Sequence, residues 1–223
     1  MAQDSESCPL CNTPGPRPYH RDTLREYLYC GKCRLVFVPG QYWLDYDREK
    51  AVYDLHENSA ADQGYRKFLS RLAAPLSERL PLNQKGLDFG CGPGPVLSVL
   101  MEEQGHSMSN FDPIYFNDTA LLSRTYDFIT ATEAVEHFQH PSEVFDLLFK
   151  MLRPGGWLGI MTKMVIDRQA FRNWHYIRDL THISFYSQFT FQYLAERFAS
   201  PVYCIGNDVI LFQKRDRDRQ AHP

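Results

Sequence analysis

"LDFGCGPGPVL", Leu87 to Leu97, sets three glycines at alternate positions between a short apolar run and the start of a helical pattern. The run "KGLDF" reads as a buried strand, and Pro95 suits a helix's first turn, where its missing N–H loses no hydrogen bond. A glycine-rich turn at such a junction lets a ligand approach the backbone with no Cβ in the way. It also presents helix N-terminal N–H groups to an anionic end. The dinucleotide fingerprint GxGxxG does not fit, because Gly90, Gly92 and Gly94 place the third glycine one position early.

Downstream, "SMSNF" reads as a second strand ending at Asp112 and "YDFITA" as a third. A helix follows from Ser142, as N-cap, to Leu152, and "RPGGW" turns the chain into the strand "WLGIMT". A helix over Gln188 to Phe198 then leads to "VYCIG", the turn "GND" and "VILFQ", an antiparallel hairpin at a sheet edge. Upstream, Tyr65, Phe68, Leu69, Leu72, Leu76 and Leu80 share one helical face, with an interruption expected at Pro75 and an end at Pro81. Alternating strands and helices predict an α/β fold, a doubly wound, mostly parallel, Rossmann-like sheet. Its ligand crevice lies at the carboxyl ends of the strands.

Four cysteines fall as Cys8-x2-Cys11 and Cys30-x2-Cys33, separated by eighteen residues, the spacing of a tetrahedral zinc ribbon. Four thiolates close the coordination sphere, so the expected role of the Zn2+ is structural. The expected organisation is a ribbon over residues 1–40, a connector over 41–61, the main domain over 62–213 and a disordered tail over 214–223. Residues 1–40 hold five Lys/Arg against four Asp/Glu, and the whole chain has a formal net charge of -3. A nucleic-acid partner is therefore not favoured, though a local basic patch stays open. No apolar run reaches the ~18 residues of a membrane span, and the amino end lacks a signal pattern, so a cytoplasmic location is expected.

"LDFGCGPG" resembles motif I of the class I S-adenosylmethionine-dependent methyltransferases, and the resemblance extends over about residues 60 to 213. It implies S-adenosyl-L-methionine as cofactor, with Asp88, Gly90, Gly92 and Gly94 around its methionine part. Asp112 matches the acid that chelates the ribose hydroxyls, although Pro113 after it also fits a turn aspartate. Only fourteen residues separate Asp112 from Asp127, too few for the family's usual third strand with its helices. "NDTALLSRTYDFI" resembles that strand's exit, which gives Asp118 the place facing the adenine and implies loss of the preceding helix.

In "TEAVEHFQH", Thr132 to His140, Glu133, Glu136 and His137 are spaced i, i+3, i+4. Spacing alone leaves open a polar helix start and a divalent-cation site. The "ExxEH" box resembles that of the ubiquinone-pathway O-methyltransferases and the small-RNA 3′-terminal 2′-O-methyltransferases. This resemblance implies a divalent ion such as Mg2+ or Mn2+ on Glu133, Glu136 and His137, with His182 of "RDLTH" as a later ligand. His137, His182 and Glu133 are then the candidate catalytic groups, and O-methylation of a small hydroxylated acceptor the expected reaction. "NWHYIRDLTH", Asn173 to His182, resembles an acceptor-binding insert, and Tyr53, His56, Asn58 and Tyr65 precede the first main-domain strand. Two other readings stand beside this one. One is an RNA methyltransferase that uses its ribbon on substrate, as some rRNA guanine methyltransferases with a cysteine ribbon do. The other is a noncatalytic protein that keeps the cofactor fold.

Overall fold

The computed structural model describes residues 7–55 and 58–216. In chain order the ribbon strands are β1 (Arg17–Arg21), β2 (Glu26–Tyr29) and β3 (Val36–Phe37). The connector forms α1 (Tyr46–Tyr53), started by Asp45, whose side chain accepts from Arg48 N. Then come α2 (Gln63–Ser77), β4 (Lys85–Phe89), α3 (Val96–Glu102), β5 (Ser107–Phe111) and β6 (Tyr126–Thr132). The chain continues through α4 (Pro141–Met151), β7 (Leu152–Met161), α5 (Arg168–Arg172) and β8 (Ser184–Phe185). It closes with α6 (Gln188–Arg197), β9 (Val202–Ile205) and β10 (Val209–Gln213).

The main sheet runs β5-β4-β6-β7-β10-β9, with β5, β4, β6 and β7 parallel. β10 is antiparallel to β7 and forms the expected hairpin with β9. The chain reverses direction across the sheet between β4 and β6, which makes their carboxyl ends the crevice where such sheets bind ligands. One face is covered by α2 and α3, with Leu69, Leu72, Leu76, Leu97 and Met101 packed on Phe128 and Leu211. On the other face α4 and α6 meet the ribbon, so that Cys8, Leu10, Leu35 and Phe37 share a core with Tyr186 and Phe191.

Several expectations change. No strand lies between β5 and β6 among the described residues. Residues 119–123 form a short 3-10 turn instead, so the family's third strand is absent and β5 is the sheet edge. The ribbon is less separate than its length suggested, because β8 of the main domain pairs with β3 as a fourth ribbon strand. Pro75 lies within α2 without ending it, and the helix stops at Ser77, before Pro81. Ser142 does not cap α4, which starts at Pro141; its hydroxyl accepts from Arg197 instead. Order also reaches past residue 213. Lys214 Nζ donates to the Phe149 and Leu152 carbonyls at 2.7 Å, while Lys214 O accepts from Gly155 N. Residues 217–223 of the expected tail, and His56, lie outside the described residues.

Candidate functional site

The glycine loop leaves β4 over the end of β5, held by Gly90 N donating to Phe111 O at 2.8 Å. Gly90 has φ +72°, and a Cβ there would stand 2.7 Å from the Ala134 Cβ. Gly94 faces the connector: its Cβ would meet Asn58 O at 2.4 Å. Both glycines are thus required by close approach, and Gly90 by its left-handed backbone as well. Asp88 is buried beneath the loop and accepts from Thr130 Oγ1 at 2.8 Å. Burial, assisted by the nearby Asp112, pushes its carboxyl up to about 7.

Asp112 is buried at the end of β5. Its Oδ2 accepts from Gly92 N at 3.0 Å, and its Oδ1 from Ile114 N at 2.9 Å and Tyr115 N at 3.1 Å. The turn role suggested by Pro113 is therefore real, and the same side chain ties the turn to the glycine loop. Asp118 is exposed and caps the 3-10 turn through Ala120 N at 3.0 Å. It does not sit at the exit of a third strand, since that strand is absent.

Past β6 the chain turns sharply at Glu133, whose φ of +46° is rare for a side chain with a Cβ. Val135–His137 then form a single 3-10 turn rather than the start of an α-helix, because α4 begins only at Pro141. Glu136 is fully buried; it accepts from Thr162 Oγ1 at 3.0 Å and from the Tyr176 hydroxyl. Glu133 Oε2 lies 3.2 Å from that same hydroxyl, while Glu133 Oε1 is buried with no partner. Burial raises both carboxyls, Glu133 to about 7 and Glu136 to about 8, with the neighbouring Glu133 charge adding to the second.

His137 Nδ1 lies 3.1 Å from Thr181 O, and His182 Nδ1 lies 2.8 Å from Tyr176 O. A carbonyl can only accept, so both rings carry a proton on Nδ1, and in the neutral imidazole that leaves the lone pair at Nε2. This is the arrangement by which a backbone carbonyl fixes a metal-ligating imidazole. Ligand atoms of Glu136, His137 and His182 all lie within 4.8 Å of one another. Glu133, the fourth expected ligand, is not in that group. The donor set of one carboxylate and two imidazoles fits a divalent transition ion better than Mg2+, which prefers oxygen throughout.

Tyr176 is the residue that spacing did not single out: it is buried and touches Glu133, Glu136 and Thr162 through one hydroxyl. Its only sequence signal was a place in the aromatic insert. Trp174 anchors that insert against Phe171, Tyr176 and Phe185, and His175 is exposed beside Lys163. Tyr53 of α1 packs edge-on against His137 at 5.2 Å, whereas Tyr65 stacks on Phe68 and joins the core over α2.

In the ribbon, Cys8, Cys11, Cys30 and Cys33 bring their Sγ atoms within 4.8 Å of one another, with no disulfide formed. A tetrahedral ion at Zn–S of ~2.3 Å needs sulfurs just under 4 Å apart, so the cluster fits one.

Residues 59–198 match the family described as a methyltransferase domain. Among solved structures, a 1,6-didemethyltoxoflavin-N1-methyltransferase from Burkholderia thailandensis, with 1,6-didemethyltoxoflavin and S-adenosylhomocysteine bound, has a TM-score of 0.50 at 15% identity. It covers 90% of this chain and 100% of its own. A candidate sarcosine dimethylglycine methyltransferase from Galdieria sulphuraria has a TM-score of 0.54 at 17% identity, over 77% of this chain and 98% of its own. At these identities the likeness speaks for the fold. No protein of curated function matches the chain in sequence. No helix among the described residues is long and apolar enough to cross a membrane.

Proposed function

The chain belongs to the methyltransferase-domain family of S-adenosylmethionine-dependent enzymes, and on that premise we propose that it methylates a hydroxyl of a small-molecule acceptor. The observation that carries this reading is the contact of Gly90 with Ala134, which sets the glycine loop directly against the acidic-histidine box. Donor and acceptor ends of one pocket then adjoin at the β4/β6 crevice.

Bound S-adenosylmethionine supplies an electrophilic methyl on its sulfonium. Asp88, Gly90, Gly92 and Gly94 cradle the methionine part, and Asp112 receives the ribose. Three of the roughly four lone-pair sites of Asp112 are already filled by backbone N–H groups, which leaves room for one ribose hydroxyl without rearrangement. Asp118 contacts the adenine only by resemblance. At the acceptor end, Glu133 shares the Tyr176 hydroxyl with Glu136. Without a cation, His137 or His182 takes the acceptor hydroxyl's proton at Nε2 as its oxygen attacks the methyl carbon and the methyl–sulfur bond breaks, releasing S-adenosylhomocysteine. Glu136, His137 and His182 are the residues that would hold a divalent cation, Mn2+ fitting them better than Mg2+. Such an ion would lower the hydroxyl's pKa. The four cysteines hold a structural Zn2+.

Calorimetry with S-adenosylhomocysteine tests the cofactor site: saturable binding weakened in Asp112→Ala is expected, and no binding overturns it. Methyl transfer from isotope-labelled donor to panels of hydroxylated and amine acceptors tests the rest. Transfer to amines alone rejects the hydroxyl, and a rate indifferent to chelators rejects the cation.

A further inference from the structure

A cleft of about 480 Å³ opens between the β1–β2 hairpin and α5, lined by His20, Arg21, Glu26, Tyr27, Arg168 and Arg172 among others. Arg168 and Arg172 are spaced i, i+4, on one face of α5, while Phe171 between them is buried edge-on against Tyr19 and Tyr27 at 5.2 and 5.1 Å. Like charges at that spacing disfavour a helix, and neither arginine meets a carboxylate among the described residues. Arg168 lies over the Tyr19 ring at 6.0 Å. Arg21 does meet Glu26, at 3.1 Å, but the arginine is largely exposed and the glutamate half-buried, and a pair so open to solvent is easily exchanged. In the lining itself one acid, Glu26, thus faces three guanidinium groups, with Asp22 and Asp167 nearby outside it.

We infer that this cleft is an anion site that receives a phosphate-bearing part of the acceptor, so that the ribbon takes part in substrate recognition. Guanidinium forks match phosphate oxygens two at a time, and the aromatic floor of His20 stacked on Tyr27 at 5.7 Å suits the organic part beside the phosphate. The cleft is connected to the candidate site along the chain. Three residues separate Arg172 from Tyr176, and Trp174 between them contacts both Phe171 and Tyr176. A small phosphorylated molecule is favoured over RNA because the ribbon's charges nearly balance and Arg25 is spent internally on backbone carbonyls. The identification of the ligand as acceptor rests on the methyl-transfer reading; the anion site itself does not.

The test is calorimetric titration of inorganic pyrophosphate into the zinc-loaded full chain with S-adenosylhomocysteine already bound. Saturable binding is expected, weakened at least tenfold in the Arg168→Gln/Arg172→Gln double variant, with S-adenosylhomocysteine affinity and melting temperature unchanged. Both arginines are exposed, so the double variant folds. Absence of saturable pyrophosphate binding, or binding that the double variant leaves intact, overturns the site. A single-stranded RNA that binds more tightly than pyrophosphate, with a steep salt dependence lost in the double variant, overturns the small-molecule assignment. Failure to bind S-adenosylhomocysteine is a separate outcome that rejects the methyl-transfer reading and leaves the anion site standing or falling on pyrophosphate alone.

Discussion

Arg25 of the ribbon donates through Nη2 to the backbone carbonyl of Asp179 at 2.9 Å, in the loop that leads to His182. The same guanidinium reaches Ile177 O and Leu180 O at 3.0 Å, and its Nε donates to the Tyr27 hydroxyl. Tyr27 in turn donates to Asp22. A buried cation with its hydrogen bonds satisfied by one loop fixes that loop's path. The ribbon therefore shapes the segment that presents one imidazole of the candidate site.

Arg25→Ala should destabilise the protein by more than about 2 kcal/mol, because three carbonyls lose their donor where water has little access. Urea denaturation measures this. Arg25→Lys should recover only part of the loss, since an ammonium cannot span the same fork of acceptors. S-adenosylhomocysteine binding should survive both changes, as the glycine loop is untouched.

Removal of metal should unfold more than the ribbon. Cys8 and Cys33 share a core with Tyr186 and Phe191, so the thiolate cluster and the main domain are packed as one body. Strong chelation is expected to lower the melting temperature of the whole chain in a single transition, with about one zinc released per chain. Two separated transitions would show that the ribbon melts alone.

Gly94→Ala should weaken S-adenosylhomocysteine binding at least several-fold. The added Cβ would lie 2.4 Å from Asn58 O, a backbone atom that can yield only if the connector moves off the loop. Unchanged affinity would mean that the connector does not help to form the pocket.

Stability should fall as pH rises, and Asp88 contributes to that fall beside Glu133 and Glu136, whose carboxyls burial also raises. The folded pKa of Asp88, near 7, stands above the ordinary 3.8, so the folded state binds the extra proton between those values. Its contribution is complete below pH ~4 and is lost as pH rises through 7, by at most about 4 kcal/mol on the scale of 1.36 kcal/mol per unit. Asp88→Asn should flatten that slope in urea melts between pH 5 and 8. An unaltered slope would assign it to other groups.

The parallel core was legible because each strand is a short apolar run beside a turn signal; "KGLDF" and "SMSNF" match β4 and β5 residue for residue. The loss of the third strand was legible as a length, fourteen residues, but not as its outcome, since a 3-10 turn and a strand exit can share one sequence. Helix 1 of the connector was missed because none of its residues is buried and no apolar face announces it. The box was found by spacing, yet its geometry depends on a left-handed Glu133 and on Tyr176, forty residues away. Neither follows from local pattern. The pairing of β8 with the ribbon was invisible for the same reason: two residues of strand make no periodicity.

Tyr176→Phe is the sharpest test of the acidic-histidine box. The phenol has one proton to give and three oxygens near it: Glu136 Oε1, Glu133 Oε2 at 3.2 Å and Thr162 Oγ1 at 3.1 Å. Phenylalanine keeps the ring against Trp174 and His182, so packing should be preserved while Glu136 Oε1 loses its donor. A stability loss of ~1–3 kcal/mol is expected from that unpaired oxygen. If the hydroxyl also holds the two carboxylates in the arrangement that meets the acceptor, kcat should fall at least about tenfold, equivalent to ~1.4 kcal/mol, while S-adenosylhomocysteine affinity stays unchanged. Lower stability with an unchanged kcat would make Tyr176 a packing residue and move the acceptor's activation onto His137 and His182 alone.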